Sequence, residues 1–262
     1  MKLCRSALEQ VLEPRPSLVV FLFKFPFQVM PAFDVQSSRF KPLPTENERM
    51  APLKIINVMA SSLDGRIGVH DREGDTERQA VGLSGEADQR FLRLQIEGAD
   101  AIIVGATSIR ANGECLDHPG RKGRPPVWFV YARQSFPASY VFWQQHHIPR
   151  VIVSERPLEL PPGTGVINLV YGAEDPASFM VRYLEAQGFQ EALLFGGGIV
   201  NRWFYDQGLV HELRLTLAPV LLGRSHAPYL VAPELQNAVK FSLLASQVEE
   251  SFVFLKYQVC AP

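Results

Sequence analysis

Three consecutive glycines, Gly196, Gly197 and Gly198, stand between a short apolar run and a segment with helical spacing. A helix N-terminus offers free backbone N–H groups, and glycines in front of it let a phosphate approach them closely. Gly105 also ends an apolar run, and ligands of open α/β sheets bind at such carboxyl ends of strands. The pattern predicts a phosphate-binding loop. Tight turns are the alternative, and they explain Gly105 more easily than three glycines, because each glycine costs conformational entropy.

Other chemistry-bearing patterns are missing from the sequence. The glycine spacing matches neither GxGxxG nor GxxxxGK[ST], which disfavours a Rossmann dinucleotide fold and a P-loop. No HExxH or GxSxG motif occurs, and Cys4, Cys115 and Cys260 form no CxxC pair. His146 and His147 lie in a polar stretch and are interpreted as a solvated pair. We therefore predict no metal site.

Composition and charge restrict the class of protein. Hydrophobic residues make up 47% and charged residues 20% of the 262 residues, which is typical of a globular protein. The formal net charge is -1, so the basic surface that sequence-independent nucleic-acid binding requires is not expected. Three widely spaced cysteines favour a reducing compartment over a disulfide framework, and we predict a cytoplasmic protein.

Residues 1–50 differ from the rest of the chain. None of the 19 glycines precedes Gly65, and six prolines lie in this segment. Its apolar run, residues 17–23, is far shorter than the about 20 residues of a membrane span, so we predict no membrane segment. Three interpretations stay open for residues 1–50: a loosely attached tail, a translated stretch upstream of a true start at Met50, or a partner-binding arm. We place the folded domain at residues 51–262.

Apolar runs alternate with helical spacing in this domain. One helix is predicted after Ser84 as its N-cap and another after Asp175, and a third follows the triple glycine. Alternation of leucines over residues 213–217 predicts a half-buried strand. The other predicted strands cover 54–59, 101–105, 127–131, 151–153, 165–170 and 192–195, with a closing hairpin of 239–248 and 252–259. The fold class is therefore α/β, with a mixed central sheet flanked by helices and a C-terminal antiparallel hairpin.

Five segments together resemble a known family. In chain order they are SLDGRI at 62–67, AIIVGATS at 101–108, GG at 196–197, GLVHEL at 208–213 and APVLLG at 218–223. They resemble the reductase domain of riboflavin biosynthesis, the 5-amino-6-(5-phosphoribosylamino)uracil reductases, which share the dihydrofolate reductase fold. The resemblance covers about residues 53–260. It implies NADPH-dependent reduction of the sugar of a ribosylaminopyrimidine to a ribitylamino group, in a homodimer.

The resemblance also implies residues that bind NADPH. The triple glycine and the helix start after it correspond to the family's pyrophosphate cradle. Ser108 keeps the hydroxyl of a family Thr, and Asn112 replaces a family Asp. Arg133 is either a partner of the 2′-phosphate or a solvated loop arginine. The implied cofactor set is Ala60, Ser108, Asn112, Arg133, Gly196, Gly197, Gly198, Ile199, Val200 and Asn201.

The implied substrate side departs from the family pattern. Glu114 ends a stretch where the family has Asp-Asp-Pro, and Phe195 stands where the family has a Glu before the glycines. Arg121 is a candidate substitute for the family's phosphate-binding arginine. The implied substrate set is Ser62, Asp64, Ser84, Leu116 and Arg121. Asp64 is the carboxylate considered for proton supply, although a turn-forming role is favoured for it, and no other catalytic residue is assigned.

Two kinds of function remain compatible with these residues. The first is an NADPH-dependent reductase, with the riboflavin-pathway reaction as the leading candidate and another small heterocyclic substrate as the alternative. The second is a dimer that binds NADP(H) without catalysis, which the altered substrate side keeps open. Small-molecule binding is expected in both.

Overall fold

The computed structural model describes residues 52–70 and 73–260. They form one nine-stranded sheet in which the strand order is β5-β4-β3-β2-β6-β1-β7-β9-β8. The first seven strands in this order pair in parallel, and β9 and β8 close the sheet with antiparallel pairs. The strands are β1 Lys54–Ser61, β2 Ala101–Gly105, β3 Val127–Tyr131, β4 Arg150–Ser154, β5 Ile167–Val170, β6 Glu191–Gly196, β7 Glu212–Leu217, β8 Phe241–Glu249 and β9 Phe252–Val259.

Five α-helices of the described residues flank this sheet. They are α1 Asp75–Ala80, α2 Glu86–Glu97, α3 Ala106–Asn112, α4 Pro176–Ala186 and α5 Gly198–Asp206. The start of α4 follows the predicted pattern, because the Asp175 side chain accepts a hydrogen bond from the Ser178 N–H at 2.8 Å and Pro176 follows it. None of these helices is long and apolar enough to cross a bilayer, within the part of the chain that the structure describes.

Successive residues of β1 pack into two hydrophobic cores, one on each face of the sheet. Ile56 and Val58 pack with Ile96 of α2 on one face of the sheet. Ile55 packs on the other face with Leu184 of α4 and Phe204 of α5. Because both faces are covered, the central strands are apolar throughout, which is why their sequence shows runs and not alternation. These observations confirm the predicted fold class and the predicted hairpin.

The structure departs from two local predictions, although β7 is a half-buried strand as predicted. The N-cap of α2 is Gly85, and the Ser84 hydroxyl instead donates to Asp88 at 2.8 Å. In β7 the polar residues Glu212 and Thr216 are buried, whereas Leu215 and Leu217 are half-exposed. Burial of Glu212 is possible because Lys54, Arg214 and Lys256 surround its carboxylate. The predicted N-terminal extension, residues 1–50, lies outside the described residues.

Candidate functional site

Two glycine turns meet at the carboxyl edge of the sheet. Gly105 ends β2 and precedes α3, and Gly197 precedes α5. Strands β2 and β6 are neighbours, so the two turns lie side by side although their residues are far apart in the chain. A Cβ on Gly105 would lie 3.3 Å from the Gly196 carbonyl oxygen and 3.4 Å from a Val200 methyl. This close approach of two backbones explains why glycine is needed at Gly105.

A buried polar network holds the triple glycine in place. Gly196 has φ +72°, and a Cβ on it would lie 2.3 Å from Asn201 Oδ1. The Asn201 amide is fully buried: its Nδ2 donates to the Leu230 carbonyl at 2.7 Å, and its Oδ1 accepts from Asn57 Nδ2 at 3.1 Å. Tyr205 Oη donates to Asn57 at 3.0 Å. Gly196 and Asn201 line neither of the two cavities that lie beside this loop in the described residues, and their contacts position the loop.

The loop borders a cavity of about 680 Å³. The implied cofactor residues on its wall are Ser108, Arg133, Gly197, Gly198, Ile199 and Val200. The sequence analysis missed other members of this wall, among them Thr107, Arg110, Tyr131, Trp203 and Tyr229. Among the residues that the structure describes, three arginines, Arg78, Arg110 and Arg133, line this cavity together with a single carboxylate, Glu73. The charged lining therefore favours an anionic ligand.

A second cavity of about 190 Å³ lies on the α2 side of the sheet. The implied site residues on its wall are Ala60, Ser84, Ser108, Asn112 and Leu116. The sequence analysis missed its charged residues Asp75, Asp88 and Glu114 and its deep members Trp128 and Thr216. The Trp128 ring meets Phe195 edge to face, with 6.1 Å between ring centroids. This cavity is therefore a small, partly aromatic pocket whose charged residues are mostly acidic.

The two cavities share a wall. Met59, Glu73, Arg78, Ser108 and Phe195 line both of them. The Glu73 side chain is only 4% exposed and lies 3.8 Å from Arg78, and its Oε2 accepts a hydrogen bond from the Val69 N–H. A ligand in one cavity and a ligand in the other would meet at this wall.

Comparisons with known proteins agree with this arrangement. The family model of the RibD C-terminal domain matches residues 53–253. The chain belongs to the RibD C-terminal domain family. It is similar to two 2,5-diamino-6-ribosylamino-4(3H)-pyrimidinone 5′-phosphate reductases. The one from Aquifex aeolicus is 24% identical, over 76% of this chain and 91% of that protein. The one from Methanothermobacter thermautotrophicus is 26% identical, over 80% of this chain and 99% of that protein.

Solved structures show the same fold. A pyrimidine reductase-like protein from Corynebacterium diphtheriae has a TM-score of 0.68 at 19% identity, over 80% of this chain and 93% of that chain. The riboflavin biosynthesis reductase of Saccharomyces cerevisiae has a TM-score of 0.61 at 15% identity, over 83% and 93%. Because the family is shown and its named relatives are reductases, the resemblance on the five sequence segments is confirmed.

Asp64 of this RibD-family chain lies outside both cavities. Its carboxylate accepts hydrogen bonds from Ser62 Oγ at 2.7 Å and from the N–H groups of Leu222 and Gly223 at 3.0 and 2.9 Å. These donors lower the pKa of Asp64 to about 2. Asp64 is therefore ionised at neutral pH and joins two loops. This geometry agrees with the turn-forming interpretation and does not place the Asp64 carboxylate where it could supply a proton in either cavity. Ser62, fully buried behind Asp64, does not line either cavity.

Arg121 lies at the opposite, amino edge of the sheet. Its Nε donates to the Gly98 carbonyl at 3.0 Å and lies 3.1 Å from Asp100 Oδ1. Both partners precede β2, and Arg121 lines neither of the two cavities. The structure therefore does not bring Arg121 to the other candidate site residues; its contacts hold the loop that enters β3.

The missed residues had little local signal. Thr107 and Arg110 follow Gly105 on α3, and the rule that ligands bind beyond strand ends could have found them. Tyr229 reaches the cavity from a loop between β7 and β8 that has no periodicity, so only the folded chain reveals it. No cluster of His, Cys, Asp and Glu that could hold a metal ion occurs within residues 52–70 and 73–260.

Proposed function

We propose that this chain is an NADPH-dependent reductase of riboflavin biosynthesis that acts on a ribosylaminopyrimidine. The supporting observation is the pair of adjoining cavities: the larger one lies beside a glycine loop and its charged residues are mostly arginines, and the charged residues of the smaller one are mostly acidic. Family membership and the reductase names of the relatives support the same reaction. A dinucleotide in the larger cavity and a heterocycle in the smaller one would bring the two reactants together at the shared wall.

The residues of the larger cavity fit NADPH. Its volume of about 680 Å³ lies in the range of roughly 300–1,000 Å³ that is typical of ligand pockets. Gly197 and Gly198 line this cavity at the N-terminus of α5, where backbone N–H groups could bind a pyrophosphate. Arg133 is exposed, and no ion pair holds it within the described residues, so it is available to a 2′-phosphate. Bound NADPH supplies a hydride; the protein supplies orientation and electrostatics.

Residues of the shared wall would orient the reaction. Met59 and Phe195 are apolar and exclude water between the two ligands, and Ser108 offers a hydroxyl. The substrate atom next to the reduced carbon also needs a proton. Glu73 replaces Asp64 as our candidate for supplying it, because it is the one carboxylate among the five residues common to both cavities. Its Oε1 is buried without a hydrogen bond in the part of the chain that the structure describes.

The first experiment is a titration of the full chain with NADPH and with NADH, followed by thermal shift. Selective stabilisation by NADPH supports the proposal, and absence of binding by either nucleotide overturns it. The second experiment follows oxidation of NADPH when the ribosylaminopyrimidine substrate of the relatives is added. Tight binding without turnover of this or related heterocycles would instead indicate the non-catalytic nucleotide-binding dimer.

We also propose a homodimer that forms through one face of β7, β9 and β8. Leu215 pairs with Leu255 across the strands and Leu217 pairs with Val253, and all four are half-exposed. Val248 continues the same face on the edge strand β8, where it is 68% exposed. A contiguous apolar sheet face of this kind marks an interface, and a two-fold axis lets it bury itself against its own copy.

Val248→Glu tests the dimer. A charge within an apolar two-fold interface is repeated on both chains, so we expect the variant to be a monomer by light scattering at micromolar concentration. Gln247→Glu puts the same charge on the other face of β8 and serves as the matched control. A wild-type chain that is itself monomeric would refute this part of the proposal.

The proposed location of the enzyme is the cytoplasm. Cys115 and Cys260 are free thiols in the described structure, and such cysteines are typical of reducing compartments. Fractionation of cells that express the full chain tests the location.

A further inference from the structure

The larger cavity runs along the carboxyl edge of the sheet. Six strands that are neighbours in the order β5-β4-β3-β2-β6-β1 each contribute a residue near their carboxyl end to its wall. In that order the residues are Tyr171, Val153, Tyr131, Gly105, Phe195 and Met59. Neighbouring strands lie about 4.8 Å apart, so the six strands cover roughly 24 Å. The cavity is therefore elongated, with one end at β1 and the other at β5.

The glycine loop and the shared wall give a dinucleotide one direction in this cavity. Met59 and Phe195 of the shared wall stand at the β1 and β6 end. Gly197 follows β6 and lies on the wall beside Gly105 of β2. In a nicotinamide dinucleotide the pyrophosphate joins the nicotinamide half to the adenosine half. With the nicotinamide at the shared wall and the pyrophosphate at the loop, the adenosine half must extend toward β3, β4 and β5.

Three aromatic side chains line that end of the cavity. Tyr131 is 5% exposed, and its Oη donates to the Pro176 carbonyl at 2.6 Å. The Trp203 ring meets Tyr131 edge to face with 5.3 Å between ring centroids, and the Tyr171 ring does so at 6.4 Å. Trp203 and Tyr171 are both half-buried and both lie on the cavity wall. The buried Tyr131 ring therefore supports two rings that keep part of their surface accessible.

The position of Trp203 on α5 suits the adenosine half. Val200 and Trp203 both line the cavity and are three residues apart, so they lie on the same face of the helix. Trp203 lies about 7.5 Å along the helix axis from Gly198, at 1.5 Å per residue. The indole is therefore more than one helical turn beyond the loop that would hold the pyrophosphate.

Arg133 lies at the same end of the cavity. It follows β3 and lines the wall. Burial and Glu155 raise the pKa of the Tyr171 hydroxyl, and the charge of Arg133 opposes this shift, which places the guanidinium near that ring. In NADPH the 2′-phosphate is on the ribose that carries the base. The arginine that we propose for the 2′-phosphate and the aromatic rings are therefore together, as the two groups are in the cofactor.

We infer that Trp203 and Tyr171 form a stacking site for the adenine base, which binds 2′-phosphorylated adenosine nucleotides even when they carry no nicotinamide. This inference rests on the proposed function and concerns the cofactor of the same site. Aromatic side chains bind nucleobases through their π faces, and replacing one such ring weakens binding. If the two rings only complete the packing around Tyr131, replacing them will lower stability and leave nucleotide affinity unchanged.

Adenosine 2′,5′-bisphosphate is the probe. We expect it to bind the full chain, to compete with NADPH and to change the tryptophan fluorescence. The chain has three tryptophans, and Trp128 and Trp143 are buried and lie outside the larger cavity. The fluorescence change should therefore disappear in Trp203→Phe, whereas calorimetry should show that this variant, which keeps an aromatic ring, still binds the probe. Oxidation of NADPH by a chain that does not bind the probe would overturn this inference and leave the proposed function standing. Absence of NADPH binding would overturn both.

Two variants locate the stacking site. Trp203→Leu should raise the Kd of the probe and the KM for NADPH about tenfold, which corresponds to ~1.4 kcal/mol, and Tyr171→Leu should act in the same direction. The kcat at saturating NADPH should stay nearly unchanged, because the nicotinamide end is untouched. Tyr183→Leu on α4, which removes a half-buried ring outside both cavities, is the matched control. Unchanged probe affinity in both cavity variants would contradict the assignment, and melting curves show whether each variant is folded.

Discussion

Replacing Gly196 with alanine tests how the glycine loop is built. Gly196 has φ +72°, a conformation that costs an L-residue with a Cβ roughly 1–2 kcal/mol. The new methyl would also lie 2.3 Å from Asn201 Oδ1, and Asn201 cannot move without breaking its buried hydrogen bonds to Asn57 and Leu230. Losing one buried hydrogen bond costs about 1–3 kcal/mol. We therefore expect Gly196→Ala to lower the free energy of unfolding by about 2–5 kcal/mol.

The matched control is Gly208→Ala. Gly208 has φ +64° and nothing within 4 Å of a Cβ placed on it, so only the backbone strain of about 1–2 kcal/mol should appear. Urea unfolding followed by tryptophan fluorescence measures both variants, and NADPH titration measures the loop. Gly196→Ala should weaken NADPH binding, whereas Gly208→Ala should not. Equal destabilisation by the two variants would refute the clash with Asn201, and unchanged NADPH affinity in Gly196→Ala would refute the placement of the cofactor beside this loop.

Three further perturbations test separate parts of the site. Arg133→Gln should weaken NADPH binding by about 10–150-fold, the equivalent of ~1.5–3 kcal/mol for a charge-assisted hydrogen bond, and leave NADH binding unchanged. Arg93→Gln is the surface control. Equal losses of affinity for both nucleotides would contradict the 2′-phosphate contact. The pKa of Asp64 is lowered from 3.8 to about 2, so the stabilising effect of its carboxylate is fully present above pH 3.8 and disappears as the pH falls through 2. The difference in melting temperature between wild type and Asp64→Asn should shrink over that interval. A constant difference would contradict the stabilising role of the ionised carboxylate. Glu73→Gln should lower kcat by about 10²–10⁴-fold with little effect on NADPH affinity, and an unchanged kcat would remove Glu73 from proton supply.

Much of the sheet could be predicted because its central strands are buried on both faces. Apolar runs as short as those of β2 and β6 predict buried strands, and the predicted bounds agree with the structure to within a residue or two. The alternation in β7 predicts a strand, but it does not show which of the two sets of side chains faces the core. Burial of Glu212 depends on Lys54 and Lys256, which come from β1 and β9, and no pattern within β7 contains that information.

Part of the candidate site could also be predicted from the sequence. The triple glycine is a local signal, and Gly197 and Gly198 do lie on the wall of the larger cavity. The carboxylates of the smaller cavity come from α1, α2 and the loop after α3, segments that meet only in the folded chain. Their common charge is a property of the assembled pocket, so sequence analysis of each segment alone treats them as ordinary surface residues.

The edge of the sheet at which Arg121 lies could be predicted from its place in the chain. In a parallel sheet, the residues that enter a strand lie at its amino edge and the residues that leave it lie at its carboxyl edge. Arg121 precedes β3, whereas the glycine turns follow β2 and β6. Arg121 and the glycine loop must therefore lie at opposite edges of the sheet, and Arg121 lies away from the edge where a cofactor on the loop would meet its substrate. Arg133 passes the same test, because it follows β3 and reaches the edge where the larger cavity lies.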